Sequence, residues 1–322
     1  MCWPSSRAVW GPDLSDVQDT IVEIALTIAE FEPVAMLARP EEIGRVQSLL
    51  KGIELVSAPV DDLWARDTLP NFLVRRRANG SGELAAGHAR FNGWGNKQIS
   101  TGDAQLAGLV AKRLGIPLFD SGLVGEGGAV EVDGTGSILA SASCWVNSNR
   151  NPGKTREQIE RALLSMLGAR RMIWVDGLAG RDITDGHIDT LARFVDPTTI
   201  IIDKPTVIDP TDPWVGVAAR TSQQIRSART GAGLPYRVVE ISQPRTTRGT
   251  NDDFLSTYMN YYVCNGGVIA PKFGDRTADE KARNVIKGLF PGRDVVQIDI
   301  DPLAAGGGGI HCATQQQPAL PR

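Results

Sequence analysis

The chain has 322 residues, 42% of them apolar and 22% charged, with a formal charge of −3 and a pI near 5.7. This balance leaves no basic footprint for nucleic acid or anionic membrane, and no run reaches the roughly 18 apolar residues of a membrane span. Met1-Cys2-Trp3-Pro4 lacks the basic start and apolar stretch of an export signal, and the four scattered cysteines (Cys2, Cys144, Cys264, Cys312) form no CxxC, so a reducing cytoplasm fits best.

In chain order, Val17, Ile21, Ile24, Ile28 and Phe31 recur at helical spacing and predict a helix over 15–31. A strand at Val34–Leu37, a helix after Pro40 and a strand at Ile53–Val56 follow. The charged stretch Asp61–Asp67 precedes the apolar Phe72-Leu73-Val74, and Gly80-Ser81-Gly82 is a turn signal. His88–Gly95 has aromatics without a period and reads as a binding loop or an irregular connection. A helix is predicted over 103–114. Ala129–Val132 and Ser137–Ala142 flank Gly134-Thr135-Gly136 as a hairpin. Thr155 and Gln158 form a capping box ahead of a helix over 155–167. Strands follow at Ile173–Val175, Ile188–Val195 and Thr199–Ile202, then a helix over 214–229 and a strand at Tyr236–Ile241. Asn251–Asn260 reads as polar loop and Gly267–Ala270 as a strand. Thr277 and Glu280 form a second capping box for a helix over 278–289, and Val295–Ile298 is the last strand. The α/β rhythm recurs at roughly 60 residues without a linker, which predicts one domain over 1–322 built of similar modules. A plain doubly wound sheet competes, but neither Gly125–Gly128 nor Gly306–Gly309 has the spacing of a dinucleotide fingerprint.

Chemistry concentrates at a few points. Gly306-Gly307-Gly308-Gly309 leads to Ile310-His311-Cys312. Four glycines permit a sharp turn or a close approach, and the cysteine behind them is a candidate nucleophile; the competing reading is a loop ahead of a small buried apolar residue. In His187-Ile188-Asp189 a strand would project imidazole and carboxylate to one side, while a solvated strand end is the alternative. Trp64 and Asp67 are spaced to hold a flat cation, or Asp67 pairs with Arg66 in a loop. Glu126 stands among glycines, either facing a ligand or on the surface. The three histidines His88, His187 and His311 form no HxxxH, and a mixed His/Asp/Cys metal site stays as a minor alternative. Acids around a thiol raise its pKa, so the set makes sense where the substrate is itself a cation such as a guanidinium.

The chain resembles the agmatine deiminases and the bacterial peptidyl-arginine deiminases from about Trp3 to Pro318. The likeness is carried by Trp64-Ala65-Arg66-Asp67-Thr68, Phe91–Gly95, Glu126-Gly127-Gly128, Asn147–Pro152, Thr184–Asp189, Asn265–Val268 and Ile310–Pro318. It implies a five-bladed α/β propeller (pentein) of pseudo-fivefold symmetry with the site in its central channel. It also implies Cys312 as nucleophile, His187 as general acid/base, Asp67 and Asp189 as guanidinium-gripping carboxylates, and Glu126 supporting the histidine. Trp64 would line the channel. The expected reaction is deimination of a small guanidine without cofactor or metal, by a cytoplasmic protein, with a homodimer as assembly; amidino transfer or guanidine binding without turnover are the rival activities. Three departures stand out. The chain starts inside what is the first strand of relatives, so the first module is expected to be short. Ile183 replaces a glutamate that helps hold the distal amine in agmatine-specific members. Gly309 replaces an asparagine, which loosens the nucleophile loop or makes room for a bulkier ligand.

Overall fold

The structure, a computed structural model, describes residues 1–77, 80–249, 251 and 253–320. The first helix, α1 (Leu14–Ala29), buries the predicted stripe of Val17, Ile21, Ile24 and Ile28. It ends before Phe31, because Pro33 disfavours helical backbone just upstream. Strand β1 (Ala35–Ala38) pairs in parallel with β2 (Glu54–Ser57) through the crossover helix α2 (Ile43–Leu49). Cys2 bridges Leu37 on the other edge of β1.

Four further modules follow one plan. A first strand pairs antiparallel with a second, and a crossover helix leads to a third strand parallel to the second. They are β3 (Asn71–Arg76), β4 (Gly82–Arg90), α3 (Asp103–Leu114), β5 (Leu118–Val124); then β6 (Val130–Val132), β7 (Ser137–Ser141), α4 (Arg156–Leu167), β8 (Arg171–Val175). The last two are β9 (Ala192–Asp196), β10 (Thr199–Lys204), α5 (Pro213–Ser227), β11 (Arg237–Ser242), and β12 (Tyr262–Cys264), β13 (Gly267–Lys272), α6 (Arg276–Leu289), β14 (Asp294–Asp299). The middle strands β7, β10 and β13 are buried nearly end to end, which explains their unbroken apolar runs. Thr155 and Gln158 form the expected capping box on α4. No helix among the described residues is long and apolar enough to cross a membrane.

Several expectations are corrected. α6 is capped by Asp275, which accepts from the Ala278 N–H, so Thr277 and Glu280 form no box. Ile188–Thr190 is a 3-10 turn and β9 starts only at Ala192. His88–Arg90 belongs to β4, and only the residues beyond it form the irregular turn, with Trp94 at φ 54°. The expected loop 251–260 holds, with no helix or strand among its described residues and residue 252 outside them, but its end, Thr257–Asn260, is buried.

The repeat positions the chemistry. Asp67, Glu126, His187 with Asp189, and Asn260 each lie just ahead of the first strand of a module, before β3, β6, β9 and β12. The segment after β14 delivers Cys312 to the same region.

Candidate active site

Cys312 is 7% exposed and is held by Asn260. The Asn260 Nδ2–H donates to Sγ at 3.1 Å, and Asn260 Oδ1 accepts from the Cys312 backbone N–H at 3.1 Å. Asp189 Oδ2 lies 3.6 Å from the sulfur, 3.4 Å from Asn260 Nδ2 and 2.7 Å from His311 Nδ1. Asp189 is fully buried, and its other oxygen, Oδ1, has no hydrogen-bond partner among the described residues. Burial pushes the Cys312 thiol far above its ordinary pKa, and the Asp189 and Asp67 charges add to the effect.

Asp67 sits on a short turn, Ala65–Thr68. It accepts from Trp94 Nε1 and from the Gly128 N–H, both at 2.9 Å. The expected alternative, a pair with Arg66, is not formed. Arg66 turns away to the His311 carbonyl at 3.4 Å and to Gln316 Oε1 at 2.7 Å. His187 lies between carboxylates, its Nε2 3.3 Å from Glu126 Oε2 and its Nδ1 3.9 Å from Asp67 Oδ1. Burial alone would lower the imidazole pKa, but Asp67 and Glu126 outweigh it and raise it to about 9. Burial also lifts Asp189 to about 6, against the opposing pull of His187. Glu126 is not on the surface. It is 1% exposed, and Arg150 Nε donates to both its oxygens at 2.8 and 3.0 Å. Burial would raise the Glu126 pKa, yet His187 and Arg150 together hold it below the ordinary value.

The glycines are explained by close approach. A Cβ at Gly128 would lie 2.5 Å from His187 Nδ1 and 2.9 Å from Asp67 Oδ1. A Cβ at Gly306 would meet the Trp10 ring at 2.4 Å, and one at Gly308 the Trp64 ring at 2.2 Å. The bare backbone therefore lets two indoles line a cavity of ≈ 260 Å³ with Cys312, His187 and Asp67 on its wall. Ile183 lines it too, as expected. Gly309 does not. It packs against Asn260, whose Oδ1 a Cβ would meet at 2.8 Å, so this glycine serves the nucleophile loop and gives no room to a ligand. Sequence reasoning missed Asn260 and Trp10, and it reached Trp94 and Arg150 only as members of motifs, without a role. Among the described residues no group of His, Cys, Asp and Glu has the arrangement of a metal site.

Three buried carboxylates (Asp67, Glu126, Asp189) thus face the charged imidazole of His187, the neutral one of His311 and the guanidinium of Arg150, a surplus of negative charge that a cation would relieve. Repeated modules around a buried thiol and its acids define a pentein. The chain belongs to the family of agmatine deiminases and bacterial peptidyl-arginine deiminases: the family model for Porphyromonas-type peptidyl-arginine deiminase matches residues 1–318. It is 34% identical to the agmatine deiminase of Pseudomonas syringae pv. tomato, covering 99% of this chain and 92% of that protein. It is 31% identical to the agmatine deiminase of Medicago truncatula, covering 99% and 92%. Its fold superposes on the agmatine deiminase of Enterococcus faecalis with a TM-score of 0.90 at 24% identity, over 99% of this chain and 92% of that one.

Proposed function

We propose that the protein hydrolyses a small guanidine, agmatine or a related alkylguanidine, to the ureido compound and ammonia through a covalent intermediate on Cys312. The observation that carries this reading is Cys312 on the wall of a cavity shared with Asp67 and His187, its sulfur 3.6 Å from the buried Asp189. The names of the relatives supply the substrate class.

A guanidinium between Asp67 and Asp189 pairs with both carboxylates and offsets one of their two charges, with the unpartnered Asp189 Oδ1 free to accept one of its N–H groups. The charge that held the thiol proton is then partly offset, the substrate cation favours the thiolate, and the thiol proton passes to solvent. The sulfur adds to the guanidinium carbon. His187, charged below about pH 9, gives a proton to one terminal nitrogen, which leaves as ammonia. The carbon stays bonded to sulfur as an amidino thioether. Neutral His187 next accepts a proton from water as the oxygen attacks that carbon. The C–S bond breaks and the thiolate returns, the hydroxyl proton passes to solvent where the released ammonia takes it up, and the neutral ureido product leaves. Glu126, fixed by Arg150, favours the charged imidazole with which the reaction begins and keeps the ring oriented between the two steps. Trp64 flanks the flat cation.

The test is Cys312→Ala with agmatine and simple alkylguanidines. Ammonia release is expected to fall by at least about a thousand-fold in a protein that melts like the wild type. Trapped wild-type enzyme should gain the mass of the amidino group on Cys312. Turnover surviving the substitution would end this reading.

A further inference from the structure

His311 is 4% exposed and lies behind the reacting atoms. It does not line the cavity of Cys312. It lines a second, larger cavity of ≈ 1280 Å³ on the other side, with Arg66, Glu131, Arg193 and Gln316. Its Nδ1 sits 2.7 Å from Asp189 Oδ2, while its Nε2 faces Glu131 Oε1 at 3.7 Å. The ring is fixed from several sides. Glu131 accepts from Arg193 Nε at 2.7 Å, and Arg193 is itself held by the Met259 and Tyr261 carbonyls over the Tyr261 ring. The His311 N–H donates to the Asn260 carbonyl, and Arg66 Nε donates to the His311 carbonyl.

We infer that His311 is a positioning residue for Asp189: a neutral imidazole that donates its Nδ1–H to Oδ2, keeps the carboxylate ionised and leaves Oδ1 for the substrate. This rests on the guanidinium-gripping role proposed for Asp189. The geometry assigns the tautomer. A separation of 2.7 Å requires a proton between nitrogen and oxygen, and Asp189 must stay a carboxylate to hold a cation, so the proton is on Nδ1. Nε2 is then an acceptor opposite another acceptor, and the 3.7 Å gap to Glu131, too long for a hydrogen bond, is what two acceptors adopt. Burial first, then the charges of Arg193, Arg66 and His187, hold the ring neutral. The other ionisable groups facing Asp189 are Cys312, Asp67, His187, Arg193, Arg66 and Glu131. Among the described residues, His311 and Cys312 are the ionisable groups within 3.6 Å of its carboxylate oxygens.

The experiment compares His311→Leu, His311→Asn and His311→Gln by KM, kcat and the acid limb of kcat/KM for agmatine. Leu has no donor and is expected to raise KM on the order of ten-fold, with kcat less affected, and to move the acid limb to higher pH. Asn keeps a donor at the position of Nδ1 and should restore both. Gln sets its donor one bond further out and should fall between them. Agmatine binding to the same variants in the Cys312→Ala background, followed by calorimetry against pH, reads the grip without turnover. A wild type that binds but releases no ammonia would overturn the deiminase reading and leave this comparison intact. An unshifted acid limb in folded His311→Leu would overturn the inference. If Leu does not fold, equal KM values and acid limbs for Asn and Gln would overturn it.

Discussion

The two cavities of this molecule carry opposite lessons. The smaller, ≈ 260 Å³, is walled by Trp10, Trp64 and Ile183 and floored by Cys312, His187 and Asp67. The larger, ≈ 1280 Å³, contains none of those three reacting groups. Its main ionic groups are paired off, Glu131 with Arg193 and Glu83 with Arg75, and its rim includes the exposed apolar side chains of Val74, Phe119 and Val132. Chemistry therefore sits where buried charge is left unbalanced, and the amount of space is a poor guide to it. In the small cavity desolvation strengthens every electrostatic interaction and sets the protonation states the reaction needs.

The largest effect that sharpens this contrast, after loss of the nucleophile, is expected at His187. His187→Gln should lower kcat by about 10² to 10⁴. In the wild type His187 is charged below about pH 9 and loses its proton above it, so kcat should fall as the pH rises through that value. A pH–rate profile checks this, and an unchanged alkaline limb in His187→Gln would assign it to another group. Asp189→Asn comes next, with kcat/KM down by about 10- to 100-fold from loss of a charge-assisted bond. The wild-type acid limb should fall near pH 6, because protonation of Asp189 releases the cation, and it should vanish from the variant.

Much of this arrangement was legible in the sequence, for reasons that can be named. Cys312, Asp67 and Glu126 stood beside glycines or turn residues, where side chains of that type are seldom used for packing. His187 and Asp189 were found for a partly wrong reason. His187 caps a 3-10 turn and Asp189 lies within it, instead of the two sharing a strand face, and the sharp backbone just upstream has Asp185 at φ 62°. Asn260 was hidden in a stretch taken for polar loop. Its signal was a single amide inside the aromatic run Tyr258-Met259-Asn260-Tyr261-Tyr262, a polar group that must be satisfied if that run is buried. β4 and β5 escaped because their pattern is weak: β4 is rich in Ala and Gly, and β5 contains Gly122 at φ 69°. Arg150 was visible only as part of a motif, since no local pattern says that an arginine will meet a glutamate 24 residues away.

Ile183 gives a smaller and more selective effect. It lines the small cavity and contributes no charge to it, so the tail of a bound guanidine meets an apolar wall at that point. Two further carboxylates line the cavity: Asp62, whose oxygens already accept from Trp10, Gln98 and the Leu63 N–H, and Asp13, which is exposed to water. Wild-type enzyme should therefore favour guanidines with apolar tails over agmatine in an ammonia-release screen. Ile183→Glu should lower KM for agmatine by about 3- to 10-fold, the size of a partly exposed ion pair, and leave propylguanidine nearly unchanged. Equal changes for both substrates would mean that residue 183 does not face the tail.

The smallest effect is expected on the other side of the molecule. Phe119 on β5 is 55% exposed and lines the large cavity. Its ring contributes little to the core, so Phe119→Ser should change stability by no more than about 0.5 kcal/mol, read from thermal or denaturant melting. It should also leave kcat/KM for any guanidine within about two-fold, since Phe119 neither lines the cavity of Cys312 nor is among the groups that act on its thiol. A loss of activity approaching that of Asp189→Asn, in a protein of unchanged stability, would make the large cavity part of the working site. The charge-based distinction between the two cavities would then have to be abandoned, because a neutral, exposed ring has no electrostatic means of reaching the sulfur.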